Sequence, residues 1–181
     1  MNGAAEFING IDAAVGKWIV SVRAAWLNAP VRWITHLADY GAVWLALLFA
    51  LLLLRRYRAV GLRYALCLFF CVLAVNLALK HIFFRVRPCD AIAEITALIK
   101  HPKDSSFPSG HAAMSFAAAF GVRRGLGKKA GIAAYVLASL IAVSRLYVGV
   151  HYLTDVLCGA LIGTACAALA WKLSETGKGR R

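Results

Sequence analysis

Four stretches of this chain, residues 37–54, 62–84, 130–147 and 153–171, are apolar almost without interruption. A helix of about 20 such residues crosses the hydrocarbon of a bilayer. Only a backbone that satisfies its own hydrogen bonds can stay there. The expected fold is therefore an all-α, polytopic membrane bundle. Hydrophobic residues make up 61% of the 181, well above the share in a soluble domain of this size. No linker, repeat or low-complexity tract divides the chain. A single integral membrane domain is expected over 1–181, with an N-terminal segment 1–35, a helical core 37–171 and a basic cytoplasmic tail 172–181.

A fifth segment, 111–122, is short for a span. Its first residues are expected to lie below the membrane surface, in a cavity lined by protein. Its small residues Ala112, Ala113, Ser115, Ala117, Ala118 and Ala119 let neighbouring helices approach closely. Gly159 and Gly163 make a small-xxx-small pair that reads as packing within the chain, with dimerisation as the alternative. In the first 35 residues, Phe7, Ile8, Ile11, Val15, Trp18, Ile19 and Val22 recur at helical spacing, interrupted by Asp12, Lys17 and Arg23. An amphipathic interfacial helix anchored by Trp18, Trp26 and Trp33 fits this pattern. A tilted sixth span is the alternative, so five to six membrane helices are expected. No small-residue cleavage site follows a short apolar core, and no removable signal peptide is expected.

The five cysteines do not form a disulfide framework. Cys67, Cys71, Cys158 and Cys166 lie inside apolar runs, as packing residues do, and Cys89 is a lone loop cysteine. Cys67 and Cys71 have no further ligands nearby, and no metal or other cofactor is expected.

The net charge of +13 does not call for nucleic acid, because its distribution follows the membrane segments. If the segments alternate, one face holds Arg55, Arg56, Arg58, Arg63, Arg123, Arg124, Lys128, Lys129, Lys172, Lys178, Arg180 and Arg181, 12 cations against the single anion Glu175. The opposite face holds nine cations and seven anions. Basic loops stay in the cytoplasm. The second face should therefore lie outside it, at the plasma membrane.

That outer face carries the chemistry. Lys80 and Arg87-Pro88 flank the exit of the second long span, Pro108-Ser109-Gly110-His111 leads into the short segment, and Ser144-Arg145 precedes His151 and Asp155. Charges are costly near hydrocarbon and are kept there mainly for function. Ser109 suits a helix N-cap, where backbone N–H groups bind anions and Gly110 allows close approach. Lys80, Arg87 and Arg145 can neutralise phosphate oxygens, the arginines as planar forks. Asp155 follows His151 by four residues, on the same helical face. A neutral histidine oriented by a carboxylate can attack phosphorus, which leaves His111 as the acid for the departing oxygen.

Together, Lys80 with six residues before Arg87-Pro88, the Pro108–His111 tetrapeptide, and Ser144-Arg145 with His151 and Asp155 resemble the full signature of the type 2 phosphatidic acid phosphatase superfamily. These are lipid phosphate phosphatases related in fold to vanadium haloperoxidases. The resemblance covers 37–171. It implies metal-independent hydrolysis through a phosphohistidine, with His151 as nucleophile, Asp155 as its partner and His111 as general acid. Lys80, Arg87, Ser109, Gly110 and Arg145 would form the phosphate cradle.

The expected substrate is a lipid phosphate or diphosphate, with undecaprenyl diphosphate first and a phosphatidylglycerophosphate or phosphatidic acid as rival. A lipid phosphotransferase is the reading from another class. His36, His81 and His101 read as interfacial or hydrogen-bonded residues. Arg85 reads as a side chain reaching the headgroups, or as a holder of a second phosphate. Asn76, one turn before Lys80, either positions that lysine or bonds between helices.

Overall fold

The computed structural model describes residues 2–100 and 103–176. His101 and the cations Lys178, Arg180 and Arg181 of the expected tail lie outside the described residues. The chain is all-helical where described, in seven principal helices: α1 (Asn2–Ser21), α2 (Ala25–His36), α3 (Ala42–Leu53), α4 (Arg55–Ile82), α5 (Gly110–Gly125), α6 (Lys128–Tyr147) and α7 (Leu153–Thr176).

The short fifth segment is the centre of the bundle. Helix α5 packs chiefly against α6 and α7, and then against α4. All six of its small residues from Ala112 to Ala119 are buried. The contact with α7 is closest at Gly163, where an added Cβ would run into the Ala113 carbonyl oxygen. Gly159 lies similarly against Ser109, so the glycine pair packs within the chain. Polar ties in the buried interior fix the neighbours. Trp44 Nε1 donates to Ser115 Oγ at 2.9 Å, and the Tyr64 hydroxyl to the Trp44 carbonyl at 3.2 Å. A buried indole or phenol left without such a partner would cost about 1–3 kcal/mol.

Three helices, α4, α6 and α7, are each long and apolar enough to cross a membrane. Their outward faces show Leu62, Phe69, Leu77, Val136, Leu140, Val143, Leu157 and Leu161 to the surroundings. An apolar belt of that extent belongs in lipid, and the chain is a membrane protein. The expected span 37–54 is not one straight helix. Helices α2 and α3 form a bent pair, turned by 46° across a short break. At the break Tyr40 and Gly41 both take positive φ, 53° and 74°, which no continuing α-helix can contain. The N-terminal segment is likewise two helices, α1 and α2, parted at residues 22–24.

Gly127, at φ +91°, makes the tight turn that sends α6 back along α5. The alternation places the end of α4, the start of α5, the end of α6 and the start of α7 at one pole. The opposite pole gathers basic residues. Arg63 and Arg124 lie over the Trp171 ring, and Arg124 pairs with Glu175 at 3.2 Å.

Candidate active site

The first motif reaches the pole through an irregular stretch. Helix α4 widens into a π-helical segment, Leu73–Leu79, just before Lys80. Such widenings inside α-helices are frequent at functional sites. The chain then runs extended to Arg87, and Pro88 opens a single turn, Pro88–Ala91. Lys80 Nζ donates to Asp104 Oδ2, and Arg87 Nη2 to Asp104 Oδ1 at 2.7 Å. One carboxylate thus bridges the two cations. Burial alone would raise the Asp104 carboxyl, but the bonds from Lys80 and Arg87 outweigh it and hold the group below the ordinary carboxylate range.

The second motif forms the expected cap. Ser109, fully buried, accepts from the Ala112 N–H at 3.5 Å, and its own N–H donates to the Asp155 carbonyl at 3.0 Å. Gly110 lies beside Asn76 Oδ1 and Lys80 Nζ, where an added Cβ would sit at 3.3 and 4.0 Å. Asn76 therefore faces the site with its amide oxygen. His111 Nε2 meets Asp39 Oδ1 at 3.0 Å, and Asp39 Oδ2 meets His36 Nδ1 at 2.6 Å. The break between α2 and α3 supplies Asp39, which sequence spacing did not single out. No local signal could have found it, because it lies 72 positions before its partner.

The third motif is buried deepest. Arg145 is 2% exposed and donates to Thr35 Oγ1 of α2. Arg87 Nη1 donates to the Val150 carbonyl at 2.9 Å and contacts His151 Nε2 at 3.3 Å. A guanidinium can only donate. Nε2 is therefore the accepting nitrogen, and the ring proton sits on Nδ1. Nδ1 faces Asp155 Oδ2 at 3.5 Å, longer than a settled hydrogen bond. Burial drives the imidazole far below the ordinary histidine value, to about 3; the Asp155 bond opposes this and the charges of Arg145 and Arg87 add to it. The ring is neutral at physiological pH. Arg87 Nε and Arg145 Nε are buried with no hydrogen-bond partner among the described residues, as suits donors held for an anion.

All eight residues singled out from the sequence lie at this pole. Direct contacts join Arg87, His151 and Asp155, Asp104 links Lys80 to Arg87, and the charge of Arg145 acts on both His111 and His151. Arg85 departs from its expected surroundings. Its guanidinium is engaged by Asp12 and Asp155, each at 2.7 Å, and so is free neither for the headgroups nor for a second phosphate. His36 is hydrogen-bonded, as expected.

The chain resembles proteins of known name over most of its length. It is 30% identical to an undecaprenyl-diphosphatase of Sulfolobus acidocaldarius over 170 residues, 93% of this chain and 81% of that protein. It superposes on the crystal structure of Aquifex aeolicus LpxE with a TM-score of 0.79 at 28% identity, covering 89% of this chain and 94% of the other. The crystal structure of a PAP2-type phosphatidylglycerolphosphate phosphatase from Bacillus subtilis gives a TM-score of 0.75 at 29% identity, over 96% and 89% of the two chains. The family model for the PAP2 superfamily matches residues 60–178, taking in all three motifs. Shared fold, matched model and motif residues gathered at one pole lead to the same placement: the chain belongs to the PAP2 superfamily.

Proposed function

We propose that this protein is a lipid phosphatase that works through a phosphohistidine on His151, outside the cytoplasm, with undecaprenyl diphosphate as its first substrate. The observation that carries the chemistry is the His151 ring. It is neutral, its Nε2 lone pair is directed to Arg87, and its Nδ1 proton faces Asp155. In this scheme the phosphoryl group takes the place of the Asp104 carboxylate between Lys80 and Arg87, with Arg145 and the N–H groups at the start of α5 completing the cradle. Nε2 attacks phosphorus as the bond to the leaving oxygen breaks. His111 supplies the proton to that oxygen; burial and the Arg145 charge lower its pKa, and Asp39 beside it opposes them in favour of the protonated ring an acid requires. Water then attacks the phosphohistidine, giving its proton to His111 and releasing phosphate.

The cations of the cradle do the work that metal ions do in two-metal phosphatases. Among the described residues, no three His, Cys, Asp or Glu side chains converge as metal ligands. The diphosphate reading draws on the Sulfolobus relative. The name of the Bacillus structure favours a second reading, a glycerophospholipid phosphatase. Phosphate release by the purified protein from undecaprenyl diphosphate, phosphatidylglycerophosphate and phosphatidic acid separates the two. The expected result is preference for the diphosphate and undiminished activity in chelator. Preference for a glycerophospholipid reverses the order of substrates, a requirement for magnesium defeats the metal-free scheme, and label passing to an acceptor lipid without free phosphate indicates a phosphotransferase.

The outward orientation rests on the charge asymmetry of the two poles. With Cys89 replaced, a cysteine introduced at Glu94 should react with an impermeant thiol reagent in intact cells, and one at Gly125 should not. The opposite pattern inverts the protein and its substrate leaflet.

A further inference from the structure

Helix α1 carries a buried charge that the reaction scheme leaves unused. Asp12 is 1% exposed, although most of α1 around it is open to the surroundings. Its Oδ1 accepts from the Thr154 N–H at 3.0 Å, and its Oδ2 from Thr154 Oγ1. The carboxylate of one helix thus caps the first turn of another, α7. Oδ2 also accepts from Arg85 Nη2 at 2.7 Å. The other arm of the same guanidinium, Nη1, donates to Asp155 Oδ1 at 2.7 Å and to Thr154 Oγ1 at 2.8 Å, and the group lies 4.0 Å over the Tyr152 ring. Asp155 Oδ2 in turn accepts from Ser106 Oγ at 2.7 Å and the Tyr152 N–H at 2.9 Å. Both oxygens of Asp155 are held, and its carboxylate has one orientation towards His151.

We infer that Arg85 is a positioning residue for the Asp155–His151 pair and that Asp12 anchors it, which makes α1 part of the catalytic apparatus. The inference deepens the phosphohistidine reading and rests on it. The charges explain why two carboxylates share one guanidinium. With neutral His151, the cluster of Asp12, Arg85 and Asp155 carries one net negative charge in a buried setting. As Nε2 bonds to phosphorus the imidazole becomes cationic, and the cluster with its histidine becomes neutral. A buried negative charge arranged before the reaction stabilises that developing cation more than the ground state, which raises kcat. Arg87 and Arg145, the cations facing His151 from the other side, oppose its charging. They make the counterweight from Asp12 and Asp155 necessary.

The test uses the full chain, with Arg85→Gln, Arg85→Lys, Asp12→Asn and His151→Ala, and with Arg85→Gln and Asp155→Asn combined. Arg85→Gln should lower kcat by about 100-fold, the scale of a misplaced catalytic group. KM should stay within about twofold, since no contact with the phosphate is lost. Arg85→Lys should recover part of the rate, and Asp12→Asn should lower kcat in the same sense. In the Asp155→Asn background, Arg85→Gln should add no more than about twofold, because the two act as one unit. Equal losses in both backgrounds, or a raised KM with kcat intact, overturn the inference. If Arg85→Gln does not fold, a full rate in Arg85→Lys and Asp12→Asn overturns it equally. Turnover retained by His151→Ala brings down the phosphohistidine reading itself. An inactive His151→Ala beside fully active Arg85 and Asp12 variants brings down only the positioning role.

Discussion

Replacing His151 by alanine is expected to reduce turnover to background and to remove any covalent phosphoenzyme. The expectation follows from the surroundings of the ring. Arg87, Arg145 and Lys80 carry only donor groups at neutral pH and cannot attack phosphorus. Asp155 is already committed to Ser106, Tyr152 and Arg85. His111 is paired with Asp39 on the side of the bundle break. Among the described residues, no second nucleophile is therefore placed to take over. Asp155→Asn, by contrast, keeps the Nε2 lone pair and loses the carboxylate that orients the ring. Its loss should be large but incomplete, about 100- to 10,000-fold, the range for orienting and acid–base groups. Acid-stable label is the wrong readout, because a phosphoramidate is lost in acid; the trapped species should be sought under alkaline quench. Phosphoenzyme surviving in His151→Ala would remove the histidine from its role. Because burial holds the imidazole near 3, any acid limb of the wild-type profile near neutrality should belong to another group.

His111→Ala should separate substrates by their leaving groups. A lipid alkoxide is strongly basic and must be protonated as it departs, so the loss on a monophosphate ester should approach the 100- to 10,000-fold worth of a general acid, taken as a rough scale. A lipid phosphate leaving from a diphosphate needs little protonation, and the loss there should be distinctly smaller. Comparing the two substrates in one preparation cancels differences in folding and in active fraction. Equal impairment of both, together with phosphoenzyme in His151→Ala, would mean that nucleophile and acid are exchanged. Asp39→Asn should follow the His111 pattern in weaker form, since its contact supports the proton on the acid.

The helical membrane bundle was legible in the apolar runs, because hydrocarbon leaves a chain few alternatives. The motif residues were legible as well, for two reasons that are both local. Spacing along one helix sets Asp155 under His151, and alternation of spans brings their ends to one pole. The small-residue run of α5 announced close approach by its neighbours, and Ala112 to Ala119 are buried against them. Local signals failed where the structure is not periodic. Residues 37–54 read as one straight span, yet the positive φ of Tyr40 and Gly41 breaks it and turns Asp39 towards His111. Arg85 read as a side chain for the headgroups or a second phosphate, and its carboxylate partners lie 70 and 73 positions away.

What the sequence determined by itself, then, is the fold class, the family and the motif residues that meet at one pole, since each depends on apolar length or on spacing within a short window. Tertiary structure alone decided which carboxylate meets which cation: Asp104 between Lys80 and Arg87, Asp39 at His111, and Asp12 through Arg85 to Asp155. A buried charge takes a partner because desolvation forces it to. That demand specifies no sequence distance, so only the packed bundle could say which partner each one found.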